Sequence, residues 1–537
     1  MDKRIVIIIA IILFVVGLNG NFSYANGIMD KSSIPLVIGN ILYVGGSGPN
    51  NYSKIQYAID NASDGDTIFV YSGIYYERIR INKSIDLVGE NKNNTLIDAE
   101  GKDDVIYIVS SNVSIKNFHL NNSGIYDIDS GIRIYGEINN ITIQNNIIKN
   151  NYFGICIGDR YIYKKILNVA ILNNFIQNKR YGVALYSCYE NTISNNIFID
   201  NGIFIPKAYT RDNIVENNTV NGLPLIYFEK QSDKIIQPNV GQIILVKCNN
   251  ITVSNQCLDN KCGVGIQLFG CYNCNIIKNS ISNKSWGIFC LNSEINHIRE
   301  NLIENVTMGI IFDSSDKHLI SLNKINNSWN AIHLADSNKN IISYNTLTNS
   351  TNGLDFWESN ENIILHNQID ICKDYGIDLF FSCNSNQFLN NTIKKCRDAG
   401  IHIYGTTKIW WDLASNKNVI SGNELIDNWV GILLVEAGLT KVSHNNILQN
   451  SYGVEVISAK YNKIFNNNIY ENKLEDALLK NSFTSRFDSN YWNETKKVHI
   501  IKGGIYRYNF WTETYEEIIP LIRFDWHPVK EPYDIGV

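Results

Sequence analysis

Four residues set at a repeat spacing carry the strongest chemical signal in this chain: His333, Asp355, Asp378 and His402. Each stands two places after a small residue, in Ala331-Ile-His-Leu, Gly353-Leu-Asp-Phe, Gly376-Ile-Asp-Leu and Gly400-Ile-His-Ile. If the flanking hydrophobics of such a strand point into a core, the residue between them points out, and the four form one outward column. Carboxylates about 4.8 Å apart on adjacent strands repel, so one is pushed toward its protonated form while the other stays ionised. That division of roles suits acid and base work on a sugar, and the spacing is near the roughly 5 Å of retaining glycosidases, with longer diagonals also available. The next outward position reads Ala335, Trp357, Phe380, Tyr404, and an insertion from Thr406 to Lys417 adds Trp410, Trp411 and Asp412; aromatic rings in a row can stack pyranose faces. Asp374 and Asp398 precede their glycines by two, each following a base, Lys373 or Arg397. A lyase or epimerase would instead need a base beside a uronate and a cation to neutralise it, types supplied by His402 with Arg397 or Lys373. The plain alternative is that an outward column must be polar somewhere, and that these side chains are solvated surface.

The elements that position the column are repeats. Gly265, Gly287, Gly309, Ala331 and Gly353 open equivalent segments 22 residues apart, and the series continues less strictly through Gly376, Gly400, Gly431 and Gly453. Earlier relatives begin at Gly131, Gly154 and Gly182, and an Asn follows 14 residues on in the regular units: Asn279, Asn301, Asn323, Asn345 and Asn367. A period near 22 with short alternating strands and no helical periodicity predicts a parallel β-solenoid. Stacking places Ile on Ile and Asn on Asn; an Asn at a turn tolerates left-handed backbone, and its amide can bond its equivalent in the next coil. The 78 Asn among 537 residues fit such a ladder. About fourteen coils are expected, or about 70 Å at one strand spacing per coil. Residues 40–130 read as the N-terminal cap and first coils, 131–480 as the repeats with an irregular insertion at 201–241, and 481–537 as an aromatic C-terminal cap. The opening cap contains a helix, from Ile55, Ala58 and Ile59 at helical spacing.

Composition narrows the partners. The 47 Lys+Arg against 52 Asp+Glu leave a formal charge of -5 and no basic footprint for nucleic acid. Lys3 and Arg4, the apolar run Ile5 to Leu18 and Ser23-Tyr24-Ala25 read as a secretory signal over residues 1–25, with an uncleaved anchor as the alternative. No second long apolar run follows, so no membrane span is expected in the mature chain, and a secreted or cell-surface location is. Sequons such as Asn51-Tyr-Ser and Asn140-Ile-Thr could be glycosylated there. Eleven cysteines include one close pair, Cys271-x-x-Cys274, without a second pair at ligand spacing, so no metal site is expected. Several instead share one column of small residues: Cys188, Cys248, Cys271, Ser293, Ser315, Ser337, Ser359, Cys383, Ser415, Ala437, Ala459. They read as packing residues, and Cys248 with Cys271, or Cys372 with Cys396, fall on neighbouring coils where disulfides are geometrically possible.

Ile55-Gln-Tyr-Ala-Ile-Asp through Asp64-Gly-Asp-Thr-Ile-Phe-Val, the repeats from about 131 to 470, and the tail segments Ser489-Asn-Tyr-Trp and Phe524-Asp-Trp-His-Pro resemble right-handed parallel β-helix proteins of the pectin-lyase-like superfamily. The resemblance is to the NosD-like group, also described as carbohydrate-binding proteins and sugar hydrolases, and the tail is similar to those of archaeal secreted members. It implies an all-β, right-handed parallel β-helix; hydrolases, lyases, epimerases and non-catalytic surface proteins share that fold, so the activity stays open. In polygalacturonase-like hydrolases the catalytic aspartates lie near the start of this strand, close to Asp374 and Asp398, but the Asn-Thr-Asp, Gly-Asp-Asp, Gly-His-Gly and Arg-Ile-Lys motifs are missing. The copper-maturation role of NosD transfers poorly to a chain with three Met and nine dispersed His. No cofactor is expected, although Asp clusters leave calcium open. The expected function is binding, with or without processing, of an extracellular or cell-wall polysaccharide; the alternatives are a structural or adhesive surface protein and a copper-maturation accessory.

Overall fold

The computed structural model describes residues 39–537 apart from positions 127, 161, 163, 187, 207–211, 260, 262, 406–413, 483, 494–497, 510–513 and 536–537. The signal segment 1–25 and the insertion residues Trp410, Trp411 and Asp412 therefore lie outside the described residues.

Strands Ile266, Ile288, Ile310, Ile332, Leu354, Ile377, Ile401, Ile432 and Val454 sit in one parallel register, each on the next, and all are fully buried. A coil cannot bury its own apolar edge, and each such side chain removed from water contributes about 1.5–3 kcal/mol only once a neighbouring coil covers it. The small residue ahead of it is required by the close approach of coils. A Cβ on Gly309 would lie 2.3 Å from the carbonyl oxygen of Ala331 and 2.9 Å from Ile325 Cγ2.

Asparagines close the turns. From Asn279 to Asn467 each side-chain Nδ2 donates to the Oδ1 of the equivalent residue in the next coil, at 2.9–3.0 Å. The left-handed backbone expected at these asparagines belongs to the residue before each one: Lys278, Glu300, Leu322, Tyr344 and His366 have φ between 53° and 57°. The ladder amides repay that turn, because each also bonds a core-strand carbonyl, as Asn301 Nδ2 does with Ile276 O at 2.9 Å. The small-residue column is buried throughout, and its serines form a second ladder, with Ser315 N donating to Ser337 Oγ at 3.0 Å. Cys248, Cys271, Cys372 and Cys396 are free thiols, so neither disulfide that the spacing allows is formed.

The solenoid has about 20 turns rather than fourteen, in two stacks. Eight successive strands of one sheet, from Ile41–Val44 to Ile214–Glu216, mark the first stack, and twelve, from Ile235–Ile236 to Arg486–Asp488, mark the second. The early turns lack the Gly-Ile-x-Ile signature, which is why a count based on it falls short. The insertion at 201–241 is the junction. Ile203–Phe204 ends one sheet of the first stack, and an antiparallel pairing of Val220 with Leu223 turns the chain into the second stack. The seven-residue helix Ile55–Asn61 lies at the start with Ile55, Ala58 and Ile59 buried. Its first amides, of Ile55 and Gln56, donate to the carboxylate of Glu77 at 2.9 and 3.0 Å, which supplies the cap that Lys54 does not. No helix among the described residues is long and apolar enough to cross a membrane. At the far end, strands His499–Asn509 and Thr514–Asp525 form an antiparallel pair, joined to the last coil through Lys502–Gly504.

Candidate functional site

The broad sheet of the second stack carries the outward column. His333, Asp355, Asp378 and His402 are register partners on four successive strands, and Ala335, Trp357, Phe380 and Tyr404 run beside them. Hydrogen bonding divides the first column differently from the carboxylate pair expected of Asp355 and Asp378. Asp355 Oδ2 takes His333 Nδ1 at 2.7 Å, and Asp378 Oδ1 takes His402 Nδ1 at 2.8 Å. The result is two His–Asp dyads, back to back. A carboxylate on Nδ1 favours the tautomer that leaves Nε2 to exchange a proton, so each dyad is built as an oriented base. Asn330 Nδ2 donates to the same Asp355 oxygen at 2.6 Å and fixes that carboxylate further.

The dyads are recessed beneath their neighbours. His402 and Asp378 are buried, the Tyr375 ring stacks on the His402 imidazole at 4.6 Å and 18°, and the His333–Asp355 pair is the more open of the two. Tyr375 was not among the residues singled out from the sequence. Burial, then the charges of Asp378, Asp398 and Asp374, push its phenol up to about 12, so it remains a hydrogen-bond donor at neutral pH. Asp374 and Asp398 lie on adjacent coils, joined by Asp398 N donating to Asp374 O at 3.0 Å. Partial burial, followed by the like charge of Asp374, raises the Asp398 carboxyl above its ordinary range. Lys373 and Arg397 are exposed at the rim, and Arg397 opposes that rise.

Among the aromatic residues, Trp357 is 44% exposed and is the open rung of the ladder. Phe380 and Tyr404 stack on one another at 5.0 Å and 13°, and Phe381 fills the angle between Phe380 and Trp357.

The same face is covered further toward the N-terminus. Phe289 and Ile311, which precede His333 in the outward column, are buried in one apolar core with Phe204 and Tyr181 of the first stack. Where the two stacks meet, a cavity of about 350 Å³ opens, lined by Tyr181, Tyr186 and Phe204 of the first stack and Trp286 and Phe289 of the second. His333 and Ala335 line its end, so the cavity and the column share a residue. Column reading from the repeats missed this cavity because its walls come from two stacks. The signal was present in the apolar Phe289 and Ile311 at outward positions, which demand a cover.

His318 replaces an Asn in a further ladder: its Nδ1 accepts Asn296 N at 3.0 Å, and its backbone N–H donates to Asn340 Oδ1 at 2.8 Å. Burial depresses its pKa to about 4.

The profile of the NosD family, described as periplasmic copper-binding protein, matches residues 59–240, 160–270, 231–412 and 390–517. No curated protein sequence matches the chain. Among solved structures, DFA-IIIase from Arthrobacter chlorophenolicus A6 is 12% identical over 77% of this chain and 94% of its own, with a TM-score of 0.30. The periplasmic alginate epimerase AlgG is 12% identical over 75% of this chain and 80% of its own, with a TM-score of 0.27. Likeness at that level bears on neither substrate nor residues. Copper, named in the family description, finds no fitting ligand set: among the described residues no three or more His, Cys, Asp or Glu are grouped to hold a metal ion. The one Met among them, Met308, packs against the core beside the cavity.

Proposed function

The chain belongs to the NosD family, and from that premise we propose that it acts outside the cytoplasmic membrane, in the periplasm or at the cell surface, by binding a polysaccharide along the outer face of the second stack. The observation that carries the reading is the registered pairing of the two His–Asp dyads with the Trp357 ladder over three to four coils. Sugars are bound by aromatic faces flanked by fixed polar groups, and this face offers both at the repeat of a solenoid. Processing of the bound chain would fall to the more open dyad, with His333 as the base oriented by Asp355. The burial of Asp378 and His402 favours a positioning role for the second dyad and supports binding without cleavage as the alternative form of the same function.

The test is binding of the secreted chain to a glycan array, beside an Asp378→Ala/His402→Ala double variant and a Trp357→Ala variant of unchanged circular dichroism. Sugar binding by the wild type that Trp357→Ala lowers supports the reading. Binding that neither variant alters moves the function off this face, and no binding by any of the three leaves a structural or adhesive surface protein.

A further inference from the structure

The inter-stack cavity has a chemical character of its own. Arg180 lies half-buried on its wall, clamped over the rings of Tyr152, Phe153 and Tyr181 at 5.3–5.8 Å, with one guanidinium nitrogen donating to Tyr152 Oη at 2.8 Å. No carboxylate of the described residues lies within ion-pair distance of it, although a partly desolvated cation ordinarily has a counter-charge. Arg160 lines the same cavity from the rim. By contrast Arg133, two coils earlier in the first stack, is paired with Asp159 at 3.0 Å and Asp104 at 3.9 Å. The fold therefore pairs Arg133 with carboxylates and leaves Arg180 with aromatic partners, although Asp313 also lines the cavity.

We infer that the cavity between the stacks is a subsite for a negatively charged sugar unit, whose acid group pairs with Arg180 and Arg160 while its ring packs against the continuous aromatic wall formed by Tyr181, Phe204, Trp286 and Phe289. A volume of about 350 Å³ falls within the range of small-molecule sites, roughly 300–1,000 Å³. The walls are already ordered: Tyr181 stacks on Phe204 at 4.2 Å, and Phe204 meets Trp286 edge-on at 5.1 Å. A planar guanidinium held by ring stacking is pre-organised to accept a carboxylate or sulfate in fork geometry. Since Ala335 of the cavity is the register partner of Trp357, the next unit of a bound chain would pass directly onto the aromatic ladder. The inference rests on the polysaccharide reading and names its substrate class as an acidic glycan.

The experiment titrates the full secreted chain with three probes: polygalacturonate oligomers (carboxylate), dextran sulfate (sulfate) and dextran (neutral). The expected result is at least about tenfold tighter binding of one acidic probe than of dextran, a preference weakened by salt and abolished in Arg180→Gln and in Arg160→Gln. Which acidic probe wins identifies the acid group. If Arg180→Gln fails to fold, Arg160→Gln, at an exposed position, carries the comparison. Equal affinity for acidic and neutral probes, or an acidic preference that survives in the arginine variants, overturns the subsite while leaving polysaccharide binding standing. No binding of any probe, together with a silent glycan array, overturns both.

Discussion

Asn490 Nδ2 donates to Asp525 Oδ2 at 3.1 Å, and with that bond the asparagine ladder of the second stack ends on a carboxylate. Every rung donates one amide hydrogen to the next coil toward the C-terminus, so the last rung needs an acceptor beyond it. Asp525, fully buried, takes the backbone amides of Ser489 and Asn490 and the indole Nε1 of Trp492 as well. The aromatic tail is thus a cap whose working atoms are a carboxylate's.

Asp525→Asn turns an acceptor into a donor facing Asn490. The expected loss is about 1.5–3 kcal/mol per charge-assisted bond removed, appearing first as faster amide exchange in the coils nearest residue 490. Hydrogen-exchange mass spectrometry reads it; uniform protection in wild type and variant would refute the terminator role.

His318 predicts a pH dependence. With a folded pKa near 4 against an ordinary 6.5, it stays neutral in the fold while the unfolded chain takes up a proton, so stability is full above about 6.5 and falls as pH drops toward 4. His318→Asn restores the residue type of its ladder neighbours. The wild-type urea midpoint should drop more than the variant's between pH 7.5 and pH 4.5.

Asp104 acts with the opposite sign. Burial, set against Arg133 and the Ser130 amide, raises it to about 7, so between about 4 and 7 the folded chain holds a proton the unfolded one has released, and stability declines as pH rises through that window. Asp104→Asn removes the decline. Its melting temperature should gain on the wild type at pH 8 relative to pH 5.

The junction of the stacks depends on two glutamines. Gln267 Oε1 accepts Ile205 N at 3.0 Å and its Nε2 donates to Ile203 O at 2.8 Å, while Gln242 bonds Ile203 from the adjacent coil. These amides stand where a further strand would pair. Gln267→Leu strands the buried Ile205 amide at a cost of about 1–3 kcal/mol and should lower the thermal midpoint, whereas Gln267→Glu, which keeps the acceptor for that amide, should fall between.

At the proposed binding face, Trp357→Ala should weaken glycan binding by roughly tenfold, about 1.4 kcal/mol, with a smaller loss of stability because the side chain is 44% exposed. Equal losses of binding and stability would mark Trp357 as packing.

The membership of each column was legible in the residues alone. Coil follows coil at a fixed strand spacing, so residues 22 to 24 apart with the same neighbours must stack, and this places His333, Asp355, Asp378 and His402 in line and Ile on Ile beneath them. The helix from Ile55, the buried small-residue column and the capping tail follow from the same local rule. What tertiary structure alone decided lies across that repeat. Whether Asp355 faces Asp378 or His333 depends on rotamers and on Asn330, not on spacing. The left-handed residue is the one before each ladder Asn because the Asn side chain is occupied inside, bonding the coils on either side. The cavity exists because the pairing of Val220 with Leu223 brings a second stack against the first, and contacts between coils so distant in the chain obey no period that a repeat can reveal.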